Sequence, residues 1–225
     1  MTDPSTEFLK PKSSLHVRQI QNLDIHELET AAQLLARAFR DNPLNCAATR
    51  STRPARRLRC NLAGMRALLS VATERSQIWF AHAGAEQTSS GDPATVLGAA
   101  VSVPPGAYPL PPPSFSLLLR TLAEQGPRVS LRWGRIFETL SSLRPPEPHA
   151  YLALLGVAPE AQNGGVGSVL LRAWQTSPEA RGVLHYLETD RWENVRFYRR
   201  AGFGIRRELE ILGAHIWCLA RAADL

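Results

Sequence analysis

Long apolar runs are missing from this 225-residue chain. A membrane helix needs about 18–20 consecutive apolar residues, and Ala150 to Ala158 is among the longest stretches present. No membrane partner is expected. The opening MTDPSTEFLKPKSS has no apolar core of the kind a secretory signal carries. It reads as a disordered lead-in over residues 1–14, and a cytoplasmic location is expected. Cysteine is scarce: Cys46, Cys60 and Cys218 are odd in number, far apart, and form no Cys-x-x-Cys. That argues against a disulfide framework or a zinc site and suits a reducing compartment. The six histidines never fall at i, i+4 or beside a cysteine, so no metal is expected, and His149 and His185 read as structural or solvated. Lysine is nearly absent, with Lys10 and Lys12 the only two among 26 basic residues.

The 26 basic and 20 acidic residues leave a formal charge of +6. A basic balance invites a nucleic-acid reading. Apart from Arg53, Arg56, Arg57 and Arg59, however, the arginines are scattered, and no aromatic-plus-basic module accompanies them. No nucleic-acid partner is expected; the charge also suits an anionic small molecule. Hydrophobic residues make up 44% of the chain, enough for a sizeable core. The length fits one domain, here 15–225.

Leu15 to Ile20 alternates and predicts a first strand. Asp24 caps a predicted helix from Ile25 to about Arg40, which Asn42-Pro43 breaks. A second helix is predicted from Pro54 to Glu74. Gln77 to Ala83 and Thr95 to Val103 predict paired strands around a hairpin loop over Gly84 to Pro93. Six prolines between Pro104 and Pro113 exclude helix and central strand. Ser114 to Glu124 and Val129 to Leu143 predict two short helices, which make 104–149 an insertion, since two such helices bury no core alone. Ala150 to Val157 predicts a strand buried on both faces. A loop over Pro159 to Val166 then leads to a helix over Gly167 to Thr176. Val183 to Thr189 predicts a strand, Trp192 to Ala201 a helix, and Phe203 to Leu212 with His215 to Ala220 a closing hairpin. Strands and helices alternate in a mixed α/β pattern.

Gln162-Asn163-Gly164-Gly165-Val166-Gly167 follows a strand and opens a helix. Glycines let backbone approach a ligand, and a helix start offers free N–H donors and a positive dipole end. Together they seat a phosphate or pyrophosphate. The P-loop needs a Lys after its second glycine, where Gly167-Ser168-Val169 has none. The dinucleotide fingerprint needs a third glycine where Leu170 sits. A plain surface turn is the alternative. Further on, Asn194 and Tyr198 stand at i, i+4 and point the same way. A phenol there can hand a proton to a thiolate, whereas Phe203 reads as an ordinary core aromatic.

Gln-x-x-Gly-x-Gly before a helix, then Leu187-Glu188-Thr189 and Asn194-x-x-Phe197-Tyr198-x-x-x-Gly202-Phe203, resembles the GNAT superfamily of acetyl-coenzyme A-dependent N-acetyltransferases. Arg144-Pro145-Pro146-Glu147-Pro148, Tyr151-Leu152-Ala153 and Trp217-Cys218 are similar to the puromycin N-acetyltransferase-like branch. The resemblance implies an α/β (α+β) GNAT fold, with a mixed, mostly antiparallel sheet of six to seven strands flanked by helices. It implies acetyl-coenzyme A as co-substrate, with Leu155, Gly156 and Val157 pairing with the pantetheine arm. The Val157 N–H would meet the oxyanion. Gln162, Asn163, Gly164, Gly165, Val166, Gly167 and Ser168 would cradle the pyrophosphate, and Asn194 and Phe197 would line the coenzyme. Tyr198 would protonate the leaving thiolate. Glu188 would deprotonate or orient the amine, with a solvated strand-end carboxylate as its alternative. Many relatives carry a basic residue at the start of the glycine motif; here backbone donors must serve alone.

Amine attack on the thioester needs positioning and oxyanion stabilisation but no covalent intermediate. The expected acceptor site lies between the first two helices and the insertion, walled by Phe115, Trp133 and Phe137. That wall suits a small hydrophobic or aromatic amine. An acetyl-coenzyme A-binding sensor or scaffold, or a protein-amine acetyltransferase, stays open, as does a monomer or homodimer.

Overall fold

The computed structural model describes residues 15–20, 23–72, 75–84 and 95–223. The lead-in over 1–14 and nearly all of the hairpin loop lie outside these residues. The chain runs β1 (Leu15–Ile20), α1 (Ile25–Ala38), α2 (Pro43–Thr49), α3 (Pro54–Ala72), β2 (Gln77–Ala83) and β3 (Val96–Val103). Next come α4 (Phe115–Gln125), α5 (Pro127–Ser142), β4 (His149–Val157), α6 (Val166–Gln175), β5 (Leu184–Thr189), α7 (Trp192–Arg200), β6 (Gly204–Ile211) and β7 (Ala214–Arg221). The seven strands form one sheet in the order β1-β2-β3-β4-β5-β7-β6. Every neighbouring pair is antiparallel except β4 with β5.

Local chemistry sets the helix ends. The Asp24 carboxylate accepts from the His26 and Glu27 amides, both at 2.8 Å, while Glu27 accepts from the Asp24 amide at 3.2 Å. This reciprocal capping box starts α1. Helix α2 was not expected, because Asn42-Pro43 reads as a break. Proline is nevertheless at home in the first turn, where its missing N–H has no partner to lose. The next donor of that first turn is met from far along the chain: Asp190, just after β5, accepts from the Leu44 amide at 2.9 Å and from Asn42 Nδ2 at 3.1 Å.

Strand alternation divides the core between the two faces of the sheet. Trp79, Ala81 and Ala100 pack with Leu170, Trp174, Leu187, Val195, Tyr198 and Phe203 beneath α6 and α7. Ile78, Phe80, Ala99 and Val101 turn the other way, onto Leu35 of α1 and Leu69 of α3. As expected, Phe203 is a core aromatic, stacked on Trp174 with ring centroids 6.2 Å apart. His185 is buried, its Nε2 2.8 Å from the Ala180 carbonyl oxygen.

Strand β4 departs from the expected strand buried on both faces. It pairs with β3 from Tyr151 to Val157, but Val101 opposes Leu154 and Ser102 opposes Leu152, leaving Ala153 unmatched in a bulge. Ala150 and Leu152 face α6 and α7 before the bulge, and Leu155 and Val157 do so after it. Ala153, Leu154 and Leu155 are only half-buried. The reason is the missing neighbour: β5 pairs with β4 only from His149 to Tyr151.

Both helices of the 104–149 stretch dock on the rest of the chain. Gln125, at the end of α4, donates from Nε2 to the Cys60 carbonyl of α3 at 2.7 Å. Ile136 of α5 is fully buried with Ala48 of α2 and with Ile211 and Ile216 of the last hairpin.

Candidate active site at the parting of two strands

Beyond Tyr151, β4 and β5 part and leave a gap in the sheet. The Ala158 amide donates to the Leu97 carbonyl of β3 at 2.9 Å. Alternation along the strand therefore turns the N–H and C=O of Val157 and Leu155 away from β3, toward the parting. The Val157 carbonyl accepts from Gln162 Nε2 at 3.3 Å. Gly156 sits where α1 comes closest: a Cβ there would lie 2.6 Å from Leu35 Cδ2.

At one end of the gap lies the glycine loop. Asn163 has φ 63° and Gly165 φ 86°, both left-handed, and Gly165 is the N-cap of α6. Ser168 and Val169 donate back to the Gly165 carbonyl at 3.0 and 3.1 Å. The Val166 and Gly167 amides open the helix, where helical geometry offers them no partner. The loop from Gln162 to Ser168 contains no charged side chain. The first turn of α6 rests directly on β3, because Gly98 has no side chain: a Cβ there would lie 2.7 Å from Val166 Cγ1 and 2.9 Å from Leu170 Cδ1. A Cβ on Gly167 would meet Phe197 Cζ at 3.6 Å, Leu155 and Val157. The structure thus brings Leu155, Val157, the glycine loop and Phe197 together. Asn194 spends an Nδ2 proton on Thr189 Oγ1 at 3.2 Å. Tyr198 is buried in the cluster containing Leu152, Leu155 and Leu187. Burial alone pushes its hydroxyl well above the usual tyrosine range, so it is a firmly protonated phenol.

On the opposite face of β5 stands an acid. Tyr151 is paired with Tyr186 across β4 and β5, and Cys218 of β7 with Glu188. Glu188 is not a solvated strand-end carboxylate: its Oε1 is sealed from solvent and has no hydrogen-bond partner. Burial pushes its carboxyl up to about 7, against the opposing pull of the Tyr151 hydroxyl, the Arg144 charge and Tyr186. Glu188 and Tyr198 therefore occupy opposite faces of the sheet. Sequence reasoning missed the surroundings of the acid, namely Tyr108, Arg144, Tyr151 and Tyr186. Arg144 and Tyr151 entered only through motif similarity, and strand register, which alone sets Tyr151 beside Tyr186, is not written in either segment.

The expected acceptor wall also changes. Phe115 is 74% exposed and Phe137 49% exposed, so neither lines an interior wall. Trp133 is half-buried and stacks on Phe137 with centroids 5.5 Å apart. The insertion turns Ile136 and Leu140 inward instead, because these share the inner stripe of α5.

Residues 123–205 match the family model of the acetyltransferase (GNAT) domain. A solved structure described as histone acetyltransferase HPA2 and related acetyltransferase, from Corynebacterium glutamicum, aligns over 94% of this chain and 98% of its own, with TM-score 0.66 and 18% identity. Our chain has the GNAT acetyltransferase fold. A putative GNAT-family acetyltransferase from Desulfovibrio desulfuricans covers 94% of this chain and 100% of its own at TM-score 0.51 and 15% identity. Arylalkylamine N-acetyltransferase 2 from Aedes aegypti covers 93% and 99% at TM-score 0.56 and 13% identity. The matched domain and the fold are those of acetyltransferases. The seven-stranded, mostly antiparallel sheet is the one the resemblance implied. Among the described residues no cluster of His, Cys, Asp and Glu could hold a metal ion, and no helix is long and apolar enough to cross a membrane.

Proposed function

We propose that this protein transfers acetyl from acetyl-coenzyme A directly to the primary amine of a small hydrophobic or aromatic molecule. Residues 15–225 act as one catalytic domain, with 104–149 as its acceptor-side insertion. The observation that carries the reading is the parting of β4 from β5, with a stretch of β4 free of any β5 partner on one wall and the partnerless Glu188 oxygen on another. The fit to the coenzyme rests on the same wall. Leu155 and Val157 offer an unpaired strand edge to the pantetheine arm, and the Val166 and Gly167 amides with the helix dipole face its pyrophosphate. Asn194 and Phe197 flank the arm.

The chemistry follows from the residues. An alkylamine arrives mostly protonated at neutral pH, and Glu188, poised near 7, can take that proton. The free amine then attacks the thioester carbonyl, and the Val157 N–H stabilises the oxyanion. Collapse of the adduct breaks the carbon–sulfur bond: Tyr198 gives its proton to the departing thiolate, and the surplus proton on the new amide nitrogen leaves to solvent, from which Tyr198 is reprotonated. The dry pocket that makes Tyr198 a weaker acid also makes the thiolate a stronger base, so the two stay matched. The buried rings of Tyr151 and Tyr186 make the ground around Glu188 dry, which suits an apolar or aromatic acceptor better than a polyamine. Sequence similarity to the puromycin N-acetyltransferase-like branch points the same way.

The test is coenzyme binding followed by turnover. Coenzyme A at about 100 times its Kd stabilises a native-only binder by about 2.7 kcal/mol, which for this size raises Tm by roughly 5–11 °C. Thiol release and acetylated product with members of an aromatic and alkyl amine panel are then expected. No rise in Tm at excess coenzyme A would sink the proposal.

A further inference from the structure

The end of α5 brings a cation to the acid. The Tyr186 hydroxyl donates to the Leu143 carbonyl at 3.4 Å, fixing the chain one residue before Arg144. Arg144 then lays its guanidinium carbon 3.2 Å from the ring centre of Tyr108 and 4.1 Å from that of Tyr151. Tyr108 is held in turn by the insertion, its hydroxyl 2.6 Å from Ser141 Oγ. Arg144 gives up hydrogen bonds to be there: its Nε and Nη1 are sealed from solvent without a partner. A planar guanidinium stacks on aromatic faces where a lysine ammonium does not. Beneath it, Tyr151 reaches two ways, with its ring under Arg144 and its hydroxyl acting on Glu188.

Resting on the reading of Glu188 as the base, we infer that Arg144 is the positioning residue of this site. From the insertion it stacks on Tyr151, which β4 sets beside Tyr186 two residues before Glu188, and it brings a positive charge to the acid's side of the sheet. The groups facing Glu188 come from every element around it. They are Tyr151 on β4, Tyr186 on β5, Cys218 on β7 with Arg207 of β6 acting on that thiol, and Arg144 from the insertion. His149 packs edge-on to Tyr186 with ring centres 5.7 Å apart. Of these, Arg144 is the cation that acts on Glu188. The insertion thereby sets the proton affinity of an acid on the central sheet. If the end of α5 moves away, the carboxyl keeps its proton and the amine keeps its own.

Carbon-13 labelling of glutamate in the full chain lets the Glu188 carboxyl be titrated by NMR, its signal assigned by loss in Glu188→Gln. Arg144→Met is expected to raise the Glu188 midpoint by about one pH unit or more, a tenfold gain in proton affinity. Arg144→Lys, which keeps the charge, should recover a large part of that rise. Tyr108→Leu, which frees the guanidinium without removing it, should give an intermediate rise. A purely structural arginine predicts a lower Tm with the midpoint unmoved. An unmoved midpoint in Arg144→Met with a native near-ultraviolet circular dichroism spectrum overturns the inference. If Arg144→Met does not fold, an unmoved midpoint in Tyr108→Leu does so. The titration needs no substrate, so it stands apart from the acetyltransferase reading, which fails on coenzyme binding and turnover.

Discussion

Replacing Glu188 by glutamine should make the protein more stable in mild alkali while disabling it. The carboxyl sits buried with Oε1 unpartnered, and burial lifts it from an ordinary 4.5 to about 7. Across that window the folded chain holds a proton that the unfolded chain has released. Native stability therefore falls as pH rises from about 4.5 to 7 and is flat in this respect above it. Each pH unit is worth about 1.4 kcal/mol, so ionisation of Glu188 costs the fold about 3 kcal/mol. For a chain of this size that is roughly 6–12 °C in Tm. Glutamine has the same shape and no titration; its amide inherits the partnerless position at a cost of about 1 kcal/mol. The assay is Tm against pH for both proteins, read as the difference, so that every other titrating group cancels. The variant should match or trail the wild type at pH near 5 and exceed it by several degrees near pH 8. Acetyl transfer should fall by about 10²-fold or more with loss of the base. Parallel Tm curves across the window would refute the reasoning, because a carboxyl that titrates alike in both states cannot be buried as described.

Gly98→Ala forces a methyl to within 2.7 Å of Val166 and 2.9 Å of Leu170. Overpacking of this kind costs about 1–3 kcal/mol, and the shift of the α6 first turn should weaken coenzyme A binding measured by calorimetry. Gly134→Ala, in α5 with open space around its would-be Cβ, should instead gain about 0.5–1 kcal/mol and leave that affinity unchanged. Tyr198→Phe should lower kcat strongly with coenzyme affinity retained; unchanged kcat removes Tyr198 from the proton-donor role. Gly165→Glu places a carboxylate and a strained left-handed residue at the cap of α6, and should abolish coenzyme A binding while the exposed loop spares the fold.

Much of this architecture could be read from the chain. Apolar patterning, alternating in some strands and continuous in others, located each of the seven strands to within a residue or two, because each is bounded by a turn or a cap. Asp24 was legible as a cap because the chemistry lies within four residues. Helix α2 was not, since Asn42-Pro43 signals a break and a first helical turn equally well, and Asp190 decides between them from the far end of the chain. The glycine loop could be read because its turns are written in its own residues, with left-handed backbone at Asn163 and Gly165. The environment of Glu188 could not, because Tyr108, Arg144, Tyr151 and Tyr186 meet only after the insertion docks and β4 pairs with β5. Phe115 and Phe137 misled for a related reason: large apolar residues on a two-helix insertion belong inside by composition. The inner stripe of α5 is filled by Val129 and Ile136, and Phe137 falls on its outer side.

Helix α2 leaves the ribosome long before its cap does. The carboxylate that receives the Leu44 amide lies 146 residues downstream. At about 5–20 residues per second, that is roughly 7–30 s of synthesis. Until Asp190 emerges, the helix start has no acceptor and Asn42 no acid to bind. The segment leading out of α1 toward the gap therefore takes its final shape among the last events of biogenesis, after the glycine loop has been made. A nascent chain stalled before residue 190 would display the glycine loop with the α2 side still open.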